Sequence, residues 1–307
     1  MLRKLLTTIA LVGILSSLSG CGAKPEAKAK ATGVIVLGDI SLEAEYRSKR
    51  FEPIADYLAA NLGDVGISWG EVKIAPDKET MAQWMTSGEV DLYFDSLYPA
   101  MFVIEQSGAQ AILRRWKDGV AEYRALFLAR NDSNLRSVSD LEGKMIALDE
   151  PSSTSGYMLP LAHLIKVGLK PVKKDEPNQS VAADEVGYIF AGKDSNIVKW
   201  VLDGKVAAGV IDSENFKEGS EESRARLFIM AKTAAFPRQV AVLRPGMEPE
   251  RVEAIKTALM DMDETKEGKA LLKEFKNTAQ FDQFPQGAKE SLAQIRESYD
   301  LVIELEK

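Results

Sequence analysis

Two side chains that carry much of protein chemistry are almost missing from this sequence, which has one cysteine and one histidine in 307 residues. A single cysteine cannot form an internal disulfide. The two together cannot supply the usual nitrogen and sulfur ligands of a zinc site, although a site of carboxylates alone stays open. The sequence has no P-loop, no dinucleotide fingerprint and no Gly-x-Ser-x-Gly elbow. We therefore predict no cofactor and no metal.

Long basic runs are also absent, and the net charge is −7. An acidic chain without a basic face is not expected to bind nucleic acid. The chain is 45% hydrophobic and 28% charged, which is typical of globular proteins, and it is long enough for two domains.

The N-terminus has the pattern of an export signal. A short basic start precedes the apolar run Leu5–Leu15, which is too short for a typical membrane span. The run leads to Leu18-Ser-Gly-Cys21, which resembles the cleavage box of a bacterial lipoprotein. That resemblance implies a signal peptide at 1–20, a lipid on Cys21 and a flexible tether at 21–32. The alternative is a plain signal peptide with an unrelated cysteine.

Strands and helices alternate after residue 32, which predicts an α/β fold with mainly parallel sheets. Gly33–Asp39 and Val90–Asp95 have the composition of buried strands, and the polar segment Ser41–Lys49, which holds Tyr46, is predicted to be a loop. Ligands bind beyond the carboxyl ends of such strands, so Asp95 and its neighbour Ser96 are candidate contacts. Capping of the next helix is the alternative for both.

Four consecutive hydroxyl residues, Ser152–Ser155, lie between the apolar strand Lys144–Leu148 and a helical stripe that begins near Met158. They therefore lie on a strand-to-helix turn, where hydroxyls cap the helix and backbone N–H groups point outward. Such a helix start favours anions. Gly156 would let a ligand approach the backbone closely. An ordinary capped helix is the alternative.

A hydrolytic serine would need a base, and His163 is the only histidine. It lies about two turns beyond Ser155 on the predicted helix, too far for the contact that a general base makes. We therefore predict that the chain is not an enzyme.

Several segments together resemble the phosphate/phosphite/phosphonate-binding proteins of ABC importers, over about residues 33–284. They are Asp91-Leu-Tyr-Phe-Asp-Ser-Leu-Tyr98, Ser139-Asp-Leu-Glu-Gly-Lys144, Pro151-Ser-Ser-Thr-Ser-Gly-Tyr-Met-Leu-Pro160 and Asp203-Gly-Lys-Val-Ala-Ala-Gly-Val-Ile-Asp212. The second and third at this spacing are the most specific.

The resemblance implies the type II clamshell of periplasmic binding proteins. Each of its two lobes is a mainly parallel sheet flanked by helices, and two crossover strands join the lobes and let them close on a ligand. By this likeness residues 33–122 plus 236–307 form lobe one, and 123–235 form lobe two. The crossovers are expected near Gly119–Tyr123 and Thr233–Arg238.

Carried over residue by residue, the resemblance places the anion on the hydroxyls and N–H groups of the Ser/Thr turn. Other contacts are expected from lobe one and from the ends of two lobe-two segments. The implied ligand-binding residues are Ser153, Thr154, Ser155, Asp95, Ser96, Tyr98, Tyr46, Asp194 and Asp212.

Two positions depart from the family pattern. Asp194 stands where many members have histidine, and Asp95 stands where a small residue is expected. Each carboxylate about 6 Å from an anion would cost about 3 kcal/mol at an effective dielectric of about 20. The carboxylates could point away, one could be protonated, the ligand could be an aminophosphonate-like zwitterion, or it could be no phosphonate. Asp194 could instead cap the next helix. Arg238 could offset the charge, although a solvated hinge residue is the favoured interpretation.

The implied function is an extracytoplasmic, lipid-anchored solute receptor, expected to be monomeric. It would bind a small phosphorus oxyanion (phosphonate, phosphite or phosphate-like) and deliver it to a membrane permease. One alternative is a sensor that passes its closed form to a receptor kinase. Another is binding of a non-phosphorus oxyanion.

Overall fold

The computed structural model of the protein describes residues 33–307. The predicted signal peptide, Cys21 and the tether lie outside the described residues. Within 33–307, no helix has the length and apolar composition that a membrane crossing requires.

Fourteen strands and ten α-helices are described between residues 33 and 307, besides short 3-10 and π-helical turns. The strands are β1 (Gly33–Ile40), β2 (Ile67–Ala75), β3 (Leu92–Asp95), β4 (Gln110–Arg115), β5 (Glu122–Tyr123), β6 (Ala125–Arg130), β7 (Lys144–Leu148), β8 (Pro171–Lys173), β9 (Val186–Phe190), β10 (Ala208–Asp212), β11 (Leu227–Lys232), β12 (Phe236–Pro237), β13 (Gln239–Leu243) and β14 (Phe281–Asp282). The α-helices are α1 (Ala44–Asn61), α2 (Lys78–Ser87), α3 (Leu97–Ser107), α4 (Leu159–Lys166), α5 (Asp194–Leu202), α6 (Ser213–Glu218), α7 (Glu221–Ala225), α8 (Pro249–Met260), α9 (Lys266–Glu274) and α10 (Ala288–Leu305).

Twelve of the strands form two six-stranded sheets. The first sheet has the order β14-β4-β13-β3-β1-β2, and the second has the order β11-β6-β10-β7-β9-β8. In the first, β1 is parallel to β2 and β3, while β13 is antiparallel to both β3 and β4. In the second, β7 to β10 are parallel and β6 runs against β10 and β11. Most strands of each sheet therefore run in one direction, as predicted, but both sheets are mixed, because β13 and β14 are opposed in the first and β6 is opposed in the second.

The chain passes between the two sheets twice, through β5 and β12, which pair antiparallel at Tyr123 and Phe236. We call the part built on the first sheet the first lobe and the part built on the second sheet the second lobe. The C-terminal helix α10 reaches the second lobe, since Lys166 Nζ on α4 lies 2.8 Å from the Glu297 carboxylate. The exact lobe boundaries predicted from the sequence stay predictions.

A separate apolar core lies on one face of the first sheet. Phe51 of α1 packs edge-on against Phe275 with ring centroids 4.8 Å apart, and Phe94 of β3 packs edge-on against the same ring at 5.6 Å. All three side chains are buried. Burial of aromatic rings in this arrangement stabilises the sheet and fixes the chain just after α9, next to the cleft described below.

Helix α1 begins at Ala44, so the prediction of a loop at Ser41–Lys49 is wrong from that residue onward. The first turns of the helix are polar and lack an apolar stripe, which is why they resemble a loop in the sequence. They are held by contacts between successive turns instead, such as the 2.8 Å ion pair between Lys49 and Glu45.

Candidate functional site

A cleft of about 580 Å³ is lined by elements of both lobes, near the carboxyl ends of β1, β3, β7 and β10. Its size falls in the range of about 300–1,000 Å³ that is usual for small-molecule sites. Among the predicted residues, Asp95, Ser96, Tyr98, Ser153, Thr154, Ser155, Asp194 and Asp212 line it.

The Ser/Thr turn follows β7 as predicted. Ser153 caps the next helix, because its Oγ accepts a hydrogen bond of 3.0 Å from the Gly156 N–H. A π-helical turn, Thr154–Met158, then continues directly into α4. A side chain at position 156 would place its Cβ 2.3 Å from the Asp149 Cβ, so only glycine fits there.

The turn presents donors to the cleft. Thr154 and Ser155 are almost fully buried, with 1% and 7% of their surface exposed. Their backbone N–H groups meet no acceptor among the described residues. At the start of a helix such groups attract an anion, because the helix dipole adds to their own partial charge.

The first lobe touches the same turn. The Tyr98 N–H donates to Thr154 Oγ1 at 2.8 Å, so this hydroxyl oxygen is engaged by protein while its proton stays available to donate. Tyr123 also lines the cleft, and burial raises its pKa to about 12. The two lobes are therefore in direct contact across the turn.

Neither of the two tyrosines predicted from the sequence turns a free hydroxyl toward a ligand in the cleft. Tyr46 is on the exposed face of α1, its hydroxyl accepts from Arg50 at 3.1 Å, and it is not among the residues that line the cleft. Tyr98 lines the cleft, but its hydroxyl donates to Glu306 at 2.7 Å.

Asp95 turns its carboxylate toward its own strand. Oδ2 accepts from the Tyr93 hydroxyl at 2.5 Å, and Oδ1 accepts from the Ser96 N–H at 2.6 Å. Burial raises the pKa of Asp95, while these two bonds act to lower it. The Ser96 side chain makes no capping bond to α3.

Asp194 is the first residue of α5, not its N-cap, so the helix-capping alternative is wrong. Its carboxylate accepts a hydrogen bond from the side-chain amide of Asn215. Burial, reinforced by repulsion from Asp149 and Asp212, raises the pKa of Asp194 to about 6. Asp149 itself has a raised pKa because it is buried beside Glu150.

Both carboxylate oxygens of Asp212 are engaged by protein groups. Its Oδ1 caps α6 by accepting from the Glu214 and Asn215 N–H groups at 2.8 and 2.9 Å. Its Oδ2 lies 3.1 Å from Arg238, which also binds Asp118 at 3.0 Å. Arg238 is 6% exposed, so its interpretation as a solvated residue is wrong and it neutralises Asp212 instead.

Several cleft cations were missed by the sequence reasoning: Arg47, Lys78, Arg115, Lys117 and Lys276. Arg115 is the most buried, with 1% of its surface exposed. The one local signal was a pair of arginines, 114 and 115, at the end of an otherwise apolar strand.

The remaining chemistry of the site is limited. His163 is half-buried against the Phe127 ring, its pKa is lowered by burial, and it is not among the cleft-lining residues. Within residues 33–307, no group of three or more histidine, cysteine, aspartate or glutamate side chains is arranged to hold a metal ion.

A family match and a characterised relative both point to the same family of proteins. Residues 41–286 match the family described as "ABC transporter, phosphonate, periplasmic substrate-binding protein". The phosphate-import protein PhnD of Mycolicibacterium smegmatis is 27% identical over 275 residues, which cover 83% of this chain and 80% of that protein.

Solved structures with a similar fold include two from other bacteria. XAC2383 from Xanthomonas citri, bound to ATP, is 26% identical with a TM-score of 0.80, and the match covers 89% of this chain and 99% of that one. PhnD1 from Prochlorococcus marinus, in complex with methylphosphonate, is 18% identical with a TM-score of 0.59, and the match covers 86% of this chain and 96% of that one. The second likeness shows the fold alone. The predicted two-lobe class is thereby confirmed.

Substrate-binding proteins of this kind act outside the cytoplasm, bind a small ligand and pair with a membrane permease. The chain belongs to the family of periplasmic substrate-binding proteins of phosphonate ABC transporters.

Proposed function

We propose that this protein captures a small phosphorus oxyanion, such as a phosphonate, phosphite or phosphate, between its two lobes and delivers it to a permease. The observation that carries this proposal is the Ser153–Ser155 turn, whose open N–H groups at a helix start face a cleft that also contains cations. The relatives named for phosphate import and for methylphosphonate support the ligand class. The family acts in transport, which supports our inference of binding without chemistry.

The carboxylates in the cleft are compatible with an anion for different reasons. Asp212 is neutralised by Arg238, and Asp95 is turned toward Tyr93. Of the three carboxylates predicted from the sequence, Asp194 is left, and with its pKa raised to about 6 it loses part of its negative charge in mildly acidic solution. A positive group on the ligand would offset the remaining negative charge of Asp194, so we expect aminophosphonates to bind more tightly than alkylphosphonates.

The lobe assignment extends this proposal. We take residues 33–122 together with 236–307 as the first lobe and residues 123–235 as the second, with β5 and β12 as the hinge strands. The Tyr98–Thr154 contact between lobes supports closure around the ligand. We further propose that a lipid on Cys21 holds a monomeric receptor at the membrane.

A thermal-shift screen tests the ligand class, with phosphate, phosphite, alkyl- and aminophosphonates, sulfate, sulfonates and carboxylates as probes. A ligand at a hundred times its Kd should add about 2.7 kcal/mol of stability. We expect a shift with a phosphorus oxyanion and none with carboxylates. A response to sulfur oxyanions alone, or to none of the probes, would contradict the proposal.

The anion site is tested by the double variant Ser153→Ala with Thr154→Ala, which removes both hydroxyls. We expect the affinity for the phosphorus oxyanion to fall by at least tenfold. Ser139→Ala is the control, because Ser139 is an exposed serine of the second lobe that does not line the cleft. Unchanged affinity in the double variant would show that the anion binds elsewhere.

A further inference from the structure

The first-lobe side of the cleft contains cations that the proposed anion site does not use. Arg47, Arg115 and Lys276 line it there, together with the carboxylates of Asp39 and Asp95. We call Arg47, Arg115 and Lys276 the basic cluster. The Tyr98 N–H, which contacts the Ser/Thr turn from the first lobe, does not belong to this cluster.

Arg115 carries a buried charge without a carboxylate partner among the described residues. Its guanidinium donates to three uncharged acceptors: Thr278 Oγ1 at 2.9 Å, Gln239 Oε1 at 2.8 Å and the Phe275 carbonyl at 2.7 Å. It also stacks on the Phe275 ring at 3.7 Å. Burying a cation is costly unless an opposite charge lies nearby, and burial lowers the pKa of Arg115 to about 9. Asp39, Asp118 and Asp95 act on it only from longer range, so an anion in the cleft would supply a direct partner.

Lys276 reaches the cleft from an unusual backbone. Its φ is +51° and that of Asn277 is +47°, a left-handed conformation that costs non-glycine residues about 1 kcal/mol each. Its ammonium makes no ion pair with a described carboxylate. Burial, together with Arg47 and Lys117, lowers its pKa to about 8. Strain that places an unpaired charge in a ligand cleft points to a binding role.

Asp39 supplies the complementary feature. It is 7% exposed, and its buried Oδ2 receives no hydrogen bond from the described residues, although Arg47 lies 3.5 Å away. A buried acceptor without a donor is costly, so it marks a place for a ligand O–H. A singly protonated phosphorus acid group fits here, since it offers oxygens to cations and one O–H to a carboxylate. Because their second pKa is about 6, such groups are mostly dianions at pH 7, so binding of the monoanion takes up a proton and should become tighter as the pH falls toward 6.

We propose that Arg47, Lys276 and Asp39, supported by the charge of Arg115, form a second acid-binding subsite, so that the preferred ligand carries two phosphorus acid groups. One group binds at Ser153–Ser155, and the other binds at the basic cluster as its monoanion. The inference rests on the proposed function, which it narrows from phosphorus oxyanions in general to diphosphorus compounds. The cleft of about 580 Å³ has room for both groups.

Isothermal titration calorimetry of the purified full chain tests this, with methylphosphonate and methylenediphosphonate as probes. We expect methylenediphosphonate to bind at least tenfold more tightly. Lys276→Asn should weaken its binding tenfold or more while changing methylphosphonate binding less than threefold. Asparagine is the suitable replacement because it is neutral and tolerates positive φ.

Lys273→Asn is the matched control, since Lys273 is an exposed lysine on the preceding helix α9, and it should change neither affinity. Equal affinity of the wild type for the two probes would overturn the second subsite and leave the proposed function standing. So would an equal loss for both probes in Lys276→Asn, because it would indicate one shared anion site. Binding of neither probe would overturn the second subsite, and the proposed function would then fall only if phosphate and phosphite also gave no thermal shift.

Discussion

Glu306, near the C-terminus, accepts hydrogen bonds from tyrosines of both lobes. The Tyr98 hydroxyl on the first-lobe helix α3 lies 2.7 Å from Glu306 Oε1, and the Tyr157 hydroxyl on the second-lobe turn lies 2.8 Å from the same oxygen. Burial, and then the bond to Glu306, raise the pKa of both tyrosines far above its usual range, so both remain protonated donors. Because the tyrosines belong to different lobes, opening of the cleft would break at least one of these bonds.

The size of the effect follows from one charged hydrogen bond. Such bonds contribute about 1.5–3 kcal/mol, and the low end applies here because Glu306 is exposed to solvent. Glu306→Ala should therefore destabilise the closed form relative to the open form by about 1.5 kcal/mol. Since about 1.4 kcal/mol corresponds to a factor of ten, the ligand affinity should fall about tenfold.

Calorimetric titration with the phosphorus oxyanion found in the screen measures the affinity, and small-angle scattering of the ligand-free protein measures the open fraction. Glu304→Ala is the matched control, because Glu304 is exposed and pairs only with Lys307 among the described residues. An affinity of Glu306→Ala equal to that of Glu304→Ala would refute the reasoning and make the two bonds a local feature of α10.

Three further changes test other parts of the cleft. Asp39→Asn should raise the free energy of unfolding at pH 7 by about 2 kcal/mol but leave it nearly unchanged at pH 4. The reason is that burial raises the pKa of Asp39 from 3.8 to about 6, so its ionisation lowers the stability of the fold as the pH rises through that window. Urea unfolding at both pH values measures the difference. An effect of the substitution that does not depend on pH would contradict the explanation. Gly156→Ala should lower the ligand affinity measured by calorimetry at least tenfold, because the new Cβ would lie 2.9 Å from Ser153 Oγ. Gly63→Ala is the control and should leave the affinity unchanged, because its new Cβ would have no atom within 4 Å. Arg238→Met should lower the free energy of unfolding, measured with urea, by about 3–5 kcal/mol, because it leaves the buried Asp212 carboxylate without its ion pair. A decrease below about 1 kcal/mol would argue against that ion pair.

Local patterns were sufficient for the parts of the site that one segment builds. The Ser/Thr turn could be predicted because an apolar strand, a run of hydroxyls and a helical stripe follow one another without interruption, and the structure starts the helical turn at Thr154, within that run. The likeness of short motifs then gave the fold class, which strand order alone would have left open.

The basic cluster could not be predicted in this way. Arg115 and Lys276 come from distant parts of the chain, and they meet only because β14 and the end of α9 return to the first sheet beside β4. Arg238 was misjudged for a similar reason, since the residues that bury it come from both lobes. Tyr46 was placed in a loop because the first turns of α1 are polar on every side.

The position of β13 between β3 and β4 affects the order in which the protein can fold after export. A chain that crosses a membrane N-terminus first delivers the whole of the second sheet, β6 to β11, before β13 emerges. The second lobe can therefore complete its sheet from one continuous segment, whereas the first lobe waits for a central strand from late in the sequence. Closing so long a loop costs entropy and slows folding. We expect the first lobe to be the late-folding half, so the cleft becomes competent for ligand only after the C-terminal third of the chain has docked.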